Sequence, residues 1–290
     1  MEALADLLYP FEEFGFMRRA LVACIALSLS APPLGLFLIL RRMSLMGDAM
    51  SHAILPGAAV GFLLAGFSLP ALSIGGLLAG VTIALLAGAT TRFTPQQEDA
   101  SMAVFYLISL ACGVLLISLK GSNTDLTHLL FGSVLAVDNP TLVLVASIAT
   151  LTMLTMAVIL RPLVVECFDP EFLRSQGEKG MLPHLTFLVL VVLNLVGGFQ
   201  ALGTLMAVGL MILPAAAARF WSHHLGILLI LACLDAMISS YLGLVASFYW
   251  GVPSGPSIIL TSGCLYFFSL FFGKEGGLWH HFRKPRHLEG

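Results

Sequence analysis

The sequence predicts an all-α integral membrane protein with about nine transmembrane helices, eight to ten fitting the same pattern. Three observations lead there. Of its 290 residues, 58% are hydrophobic and 10% are charged, with a mean hydropathy of +0.97, whereas soluble domains carry about 25% charged residues. The few charges divide the chain into uncharged runs that match the ~20 residues a helix needs to cross a hydrocarbon core of about 30 Å. The basic residues gather on one side of those runs, as the positive-inside bias of membrane proteins requires.

Six uncharged runs are long enough: 20–40, 49–91, 100–119, 139–160, 180–218 and 236–273, of 21, 43, 20, 22, 39 and 38 residues, the last reaching back past a lone Asp235 to Phe220. A single helix over 49–91 would be about 65 Å long, so that run must fold back on itself. Turn signals fall where this is needed, at Gly66-Phe67-Ser68-Leu69-Pro70, at 197–203 between Gly197-Gly198 and Gly203, and at Gly251-Val252-Pro253-Ser254-Gly255-Pro256. The predicted spans lie near 16–40, 49–66, 70–90, 100–119, 140–162, 183–198, 202–218, 222–248 and 256–273, forming one transmembrane domain over 1–290.

Residues 1–15 hold four acidic and no basic residues, which is unlike a cleavable signal, so the first span is expected to serve as its own insertion signal. Placing the 41–47 loop in the cytoplasm puts eleven of the 14 basic residues there and leaves only Arg18, Arg19 and Lys120 outside. The N-terminus and segment 1–15 are therefore expected outside, and the tail 274–290 in the cytoplasm. Residues 120–138 form an outer loop. The loop 164–182 is expected in the cytoplasm with a short amphipathic helix, Asp169 at its N-cap, Pro170 at N1 and Gly177 as its stop. Spacing alone fits a docking element and a solvated connector equally.

Several function classes are disfavoured. A net charge of −2 is too little basicity for a nucleic-acid binder. The five cysteines are scattered without a CxxC pair and read as small core hydrophobes. GxxxxGK[ST], HExxH and GxSxG are all missing. The chain is thus not expected to be an enzyme, and a partner must supply the energy for any uphill transport.

Ionisable groups at membrane depth cost about 2.5–3.5 kcal/mol each on insertion scales, so each one suggests a role. Asp48 and His52 stand four residues apart at the start of the second span, on one helical face and within reach of one ion. A carboxylate oxygen and an imidazole nitrogen suit Mn²⁺, Fe²⁺ or Zn²⁺. The same spacing also makes a structural hydrogen bond, so the pair alone leaves both readings open. Pro56 and Gly57 interrupt that helix and free carbonyls that can face a cavity. Asp235 and Ser239 form a second polar stripe, either along the same path or in a helix–helix hydrogen bond. Asn194 and Gln200 read as packing groups, and His223, His224, His280, His281 and His287 as solvated surface.

The segment Arg41-Arg42-Met43-Ser44-Leu45-Met46-Gly47-Asp48-Ala49-Met50-Ser51-His52-Ala53-Ile54-Leu55-Pro56-Gly57 resembles the signature of the permease subunits of bacterial metal-ion ABC importers, the manganese, zinc and iron family. Segment 168–177 resembles that family's coupling helix, 203–218 its small-residue helix, and 253–258 the start of its last span. The likeness runs from about 16 to 273. It implies a type II ABC importer permease in the bacterial plasma (inner) membrane. Two permease subunits, a homodimer or related paralogues, would enclose a path, an extracytoplasmic binding protein would deliver the cation, and a separate ABC ATPase would drive alternating access. The divalent metal would be cargo, with no permanently bound cofactor. By the same resemblance Asp48 and His52 contact the metal, while Phe168, Asp169, Pro170, Glu171, Phe172 and Arg174 meet the ATPase. Asp235, Ser239 and Pro56 are path candidates. Oxygen and nitrogen ligands without a nearby cysteine favour manganese or iron, with zinc also fitting. The alternatives are a permease for an organic metal complex such as a siderophore or cobalamin, and a proton-coupled secondary carrier using Asp48 and Asp235 as a relay.

Overall fold

A computed structural model describes residues 2–66, 68–94, 98–119, 137–168, 181–275 and 277–279. Among them the chain is helical, in the order α1 (Glu2–Glu13), α2 (Gly15–Leu40), α3 (Met46–Ala65), α4 (Leu69–Phe93), α5 (Glu98–Leu119), α6 (Asn139–Phe168), α7 (Met181–Leu202), α8 (Thr204–Ala218), α9 (Leu225–Trp250) and α10 (Ser254–Phe272). Eight of these, α2 to α7 with α9 and α10, are long and apolar enough to cross a membrane. The expected span near 202–218 is α8, whose 15 residues extend only about 22 Å. Gly203 makes the break before it, at φ 89°, a conformation glycine adopts without steric cost.

Helices α2 and α7 form the interior and the others surround them. One core joins Leu34, Phe37 and Leu38 of α2 to Met50 and Ile54 of α3 and to Phe187, Val191 and Leu195 of α7. A second joins Met17, Cys24 and Leu27 of α2 to Met206 and Leu210 of α8, Leu244 of α9 and Ile258 of α10. With no hydrophobic force between helices in lipid, close approach depends on small residues. Gly57 and Gly61 of α3 lie directly against the backbone of Gly75 and Ala71 of α4, and Gly35 of α2 lies against the Met211 carbonyl of α8. Polar side chains add links inside the bundle: the Asn194 amide donates to Thr152 Oγ1 at 2.7 Å, and the Gln200 amide to Ser73 Oγ at 3.3 Å.

Helix ends sort into two groups. Arg19 donates to the Val137 carbonyl at 3.1 Å, and Phe14 packs on Phe248, so the starts of α2 and α6 share an end with the close of α9. At the opposite end Leu36 and Leu40 of α2 meet Ala218 of α8 and Leu228 of α9, and the Glu275 amide donates to the Phe220 carbonyl. Arg41, Arg42, Arg219 and Lys274 fall at this second end and Arg18 and Arg19 at the first, the partition expected from the sequence.

Several boundaries differ from expectation, and α7 runs through Gly197-Gly198 to Leu202 instead of ending near 198. Segment 1–15, expected only as an outer extension, contains α1, which stacks Phe11 on Tyr241 of α9. Both ends of the stretch expected as a loop over 164–182 are helical, because α6 continues to Phe168 and α7 begins at Met181. Phe168 thus ends a 30-residue helix. Asp169, Pro170, Glu171, Phe172 and Arg174 lie outside the described residues, as do residues 120–136, where an outer loop is expected, and His280, His281 and His287.

Candidate functional site

The turn that presents the site is built at the end of α2. The Arg42 amide bonds to the Ile39 carbonyl and the Met43 amide to the Leu38 carbonyl at 2.8 Å. This closes the helix in a Schellman motif with Arg42 at φ 63°, a position usually held by glycine. Met43 and Leu38 are both buried there, the apolar contact that accompanies the motif. The chain then turns into α3.

Asp48 sits in the first turn of α3 and His52 one turn later. His52 Nε2 is 3.8 Å from Asp48 Oδ1, longer than a hydrogen bond, so the two are neighbours without being locked together. Asp48 is 66% exposed and His52 35% at the side chain. The His52 ring lies alongside Tyr106 of α5 with centroids 6.3 Å apart, and Ser51 donates to the Asp48 carbonyl at 2.7 Å. Among the described residues no group of three or more His, Cys, Asp or Glu side chains could hold a metal ion. One chain therefore presents two adjacent side chains of metal-ligating type, Asp48 exposed and His52 half-buried.

Pro56 is buried in the α3–α5 contact, where its ring fills the space over Gly113. It cannot donate to the His52 carbonyl one turn earlier, so the ladder is interrupted directly beneath the imidazole. Ser109 of α5 donates to the Ala53 carbonyl at 3.3 Å beside this break. Pro56 thus shapes the site through backbone and packing, with its side chain turned into the helix contact.

Asp235 lies elsewhere. Its helix α9 packs on α1, α2, α8 and α10, whereas α3 packs chiefly on α4, α5, α7 and α8. Among the described residues Asp235 Oδ2 is buried with no hydrogen-bond partner, and the fully buried Ser239 donates to the Ala236 carbonyl on its own helix. The structure does not bring this stripe to the Asp48–His52 pair.

A third cluster has no counterpart among the sequence candidates. Arg41 Nη2 reaches Glu166 Oε2 at 2.6 Å, and Arg41 Nη1 reaches His184 Nδ1 at 2.7 Å. His184 Nδ1 is also 3.0 Å from Glu166 Oε1, and the guanidinium lies over the Phe187 ring at 4.9 Å. The Arg41 side chain is only 8% exposed. From sequence Arg41 marked a cytoplasmic loop and the start of the signature-like segment, with no partner assigned to it. The available signal was Glu166, an acidic residue between Val165 and Cys167 in an otherwise apolar stretch.

A bundle with eight helices long and apolar enough to cross a membrane is, by class, a multi-span membrane protein. The chain belongs to the ABC 3 transport family, whose profile matches residues 13–273. It is 33% identical over 276 residues to the "Manganese import system permease protein ScaB" of Streptococcus parasanguinis, covering 94% of this chain and 96% of that protein. It is 31% identical over 292 residues to the "Manganese transport system membrane protein MntC" of Halalkalibacterium halodurans, covering 99% and 98%. Among solved structures, a chain of "PsaBC from Streptococcus pneumoniae in complex with Fab" superposes with a TM-score of 0.82 at 30% identity, covering 96% of this chain and 99% of that one.

Proposed function

We propose that this chain is the permease subunit of an ATP-driven importer that carries a divalent transition-metal cation, manganese first and iron next, into the cytoplasm. The observation that carries this reading is the exposed Asp48–His52 pair on α3, in a chain similar along nearly its whole length to manganese permeases. A carboxylate and an imidazole on an open face supply two ligands of the type that hold Mn²⁺ or Fe²⁺. A second permease, either another copy or a paralogue, faces this surface and brings its own pair, which gives a four-ligand site at the interface. Zinc fits the same donors, so part of the choice of metal rests with the extracytoplasmic protein that delivers it.

The chain has no phosphate-binding loop, so ATP is hydrolysed on a separate ABC ATPase subunit. That subunit docks on segment 169–174 and drives alternating access. The end bearing Arg41, Arg42, Arg219 and Lys274 faces the cytoplasm, together with the C-terminus, and the N-terminus lies outside. Asp48 and His52 are then about 3 Å and 9 Å along α3 from its cytoplasmic end, on the inner part of the path.

Asp48→Ala and His52→Ala are each expected to lower metal accumulation in intact cells at least tenfold, with normal amounts of permease in the membrane. Element analysis of cells grown under manganese, iron or zinc limitation measures this and identifies the cargo. Unchanged accumulation of all three metals in both variants would remove the site.

A further inference from the structure

We propose that Arg41, Glu166 and His184 form an ionic joint that links the helices flanking segment 169–180 to the elbow carrying Asp48 and His52, acting as positioning residues that couple ATP hydrolysis to metal movement. This inference rests on the importer reading above. Its basis is where the three residues stand. Arg41 ends α2 and opens the α2–α3 elbow, seven residues before Asp48; Glu166 lies two residues from the end of α6; His184 lies in the first turn of α7. The joint therefore ties the end of α2 to two helix ends whose residues lie 125 and 143 positions from Arg41 in sequence. Any shift of α6 or α7 reaches the elbow through the guanidinium.

Stability does not account for the cluster. Replacing buried ion pairs with apolar side chains of similar volume is often neutral or stabilising, and this end of the bundle already has Phe37 against Phe187 to hold α2 to α7. The joint is also incompletely satisfied. Arginine only donates and a carboxylate only accepts, so His184 Nδ1, within 2.7 Å of one and 3.0 Å of the other, cannot serve both at once. Arg41 Nε is buried without an acceptor among the described residues. A directional, partly frustrated contact between three helix ends is suited to shifting between two arrangements, which is what coupling requires.

The test uses the complete importer, permease with ATPase and delivering protein, in proteoliposomes, and reads manganese ions moved per ATP hydrolysed. Arg41→Gln and Glu166→Gln are each expected to lower that ratio at least about fivefold, the lower end of usual coupling effects, while hydrolysis continues. Arg41→Lys, which keeps the charge but loses the fork, should lower it by a smaller factor and decides the matter if the glutamine variants fail to assemble. The exchanged pair Arg41→Glu with Glu166→Arg should recover part of the loss. An unchanged ratio, or uptake and hydrolysis falling together in proportion to assembled complex, would mark the cluster as a fold element and overturn the joint. A wild-type complex that hydrolyses ATP but moves no manganese, iron or zinc would defeat the importer reading itself.

Discussion

Asp138 shows how much one exposed side chain can settle. It caps α6 by accepting the Thr141 amide at 2.9 Å. Hydrogen bonds from the Thr141 side chain and then its backbone hold the carboxyl below the usual carboxylate range, with Arg19 adding a smaller push. Because folding lowers this pKa, the stabilisation is present above the unfolded value, near 4, and is lost as pH falls through the folded one. Asp138→Ala is expected to destabilise the start of α6 at pH 7 by roughly 0.5–1 kcal/mol, low on the capping scale because the group is solvated. Thermal melts in detergent should show the gap from wild type narrowing at pH 3; an equal gap at both pH values would refute the cap. At this scale the sequence revealed some residues and hid others. Asp48 and His52 were legible because i,i+4 spacing is local. Glu166 and His184 were not, since their partner Arg41 is reached only through the packing of α2, α6 and α7.

Among the elements, α3 depends most on fine geometry. Gly57 and Gly61 allow α3 to touch the α4 backbone, and a Cβ at Gly57 would run into the Gly75 carbonyl. Gly57→Val should therefore force α3 and α4 apart and cost about 3 kcal/mol or more, whereas Gly88→Ala, where the space is open, should be nearly neutral. Yield and melting temperature of purified protein compare the two, and equal behaviour would mean that the α3–α4 contact is looser than described. At the elbow, Arg42→Gly should relieve the left-handed backbone and raise stability by up to about 1 kcal/mol. Helix boundaries were less legible than helix number. A loop was expected from 164 onward, whereas α6 runs on to Phe168 with Glu166, in its last turn, paired to Arg41. The run 180–218 did contain two helices, and a glycine turn at Gly203 divides it unequally, leaving α8 short.

For the whole molecule, the fold class followed from composition and run length because a bilayer permits few architectures: backbone groups in lipid must be satisfied within helices or closed barrels. The proposed orientation predicts that a fluorescent protein fused to the C-terminus is bright in the cytoplasm, and that a Cys placed at Glu2 reacts with an impermeant maleimide in intact spheroplasts. The opposite pattern would invert the assignment of sides. What sequence could not supply was the exposure of Asp48 and His52, which is fixed only by how α3 packs against its neighbours. The open position of Asp48 and His52 has a consequence for heredity as well as for chemistry. If the second subunit is another copy, a chain lacking its pair spoils the partner it joins. Equal expression of wild-type and Asp48→Ala chains would leave about a quarter of random dimers with both pairs. One altered gene copy would then remove about three quarters of the intact importers in a cell that still carries a normal one.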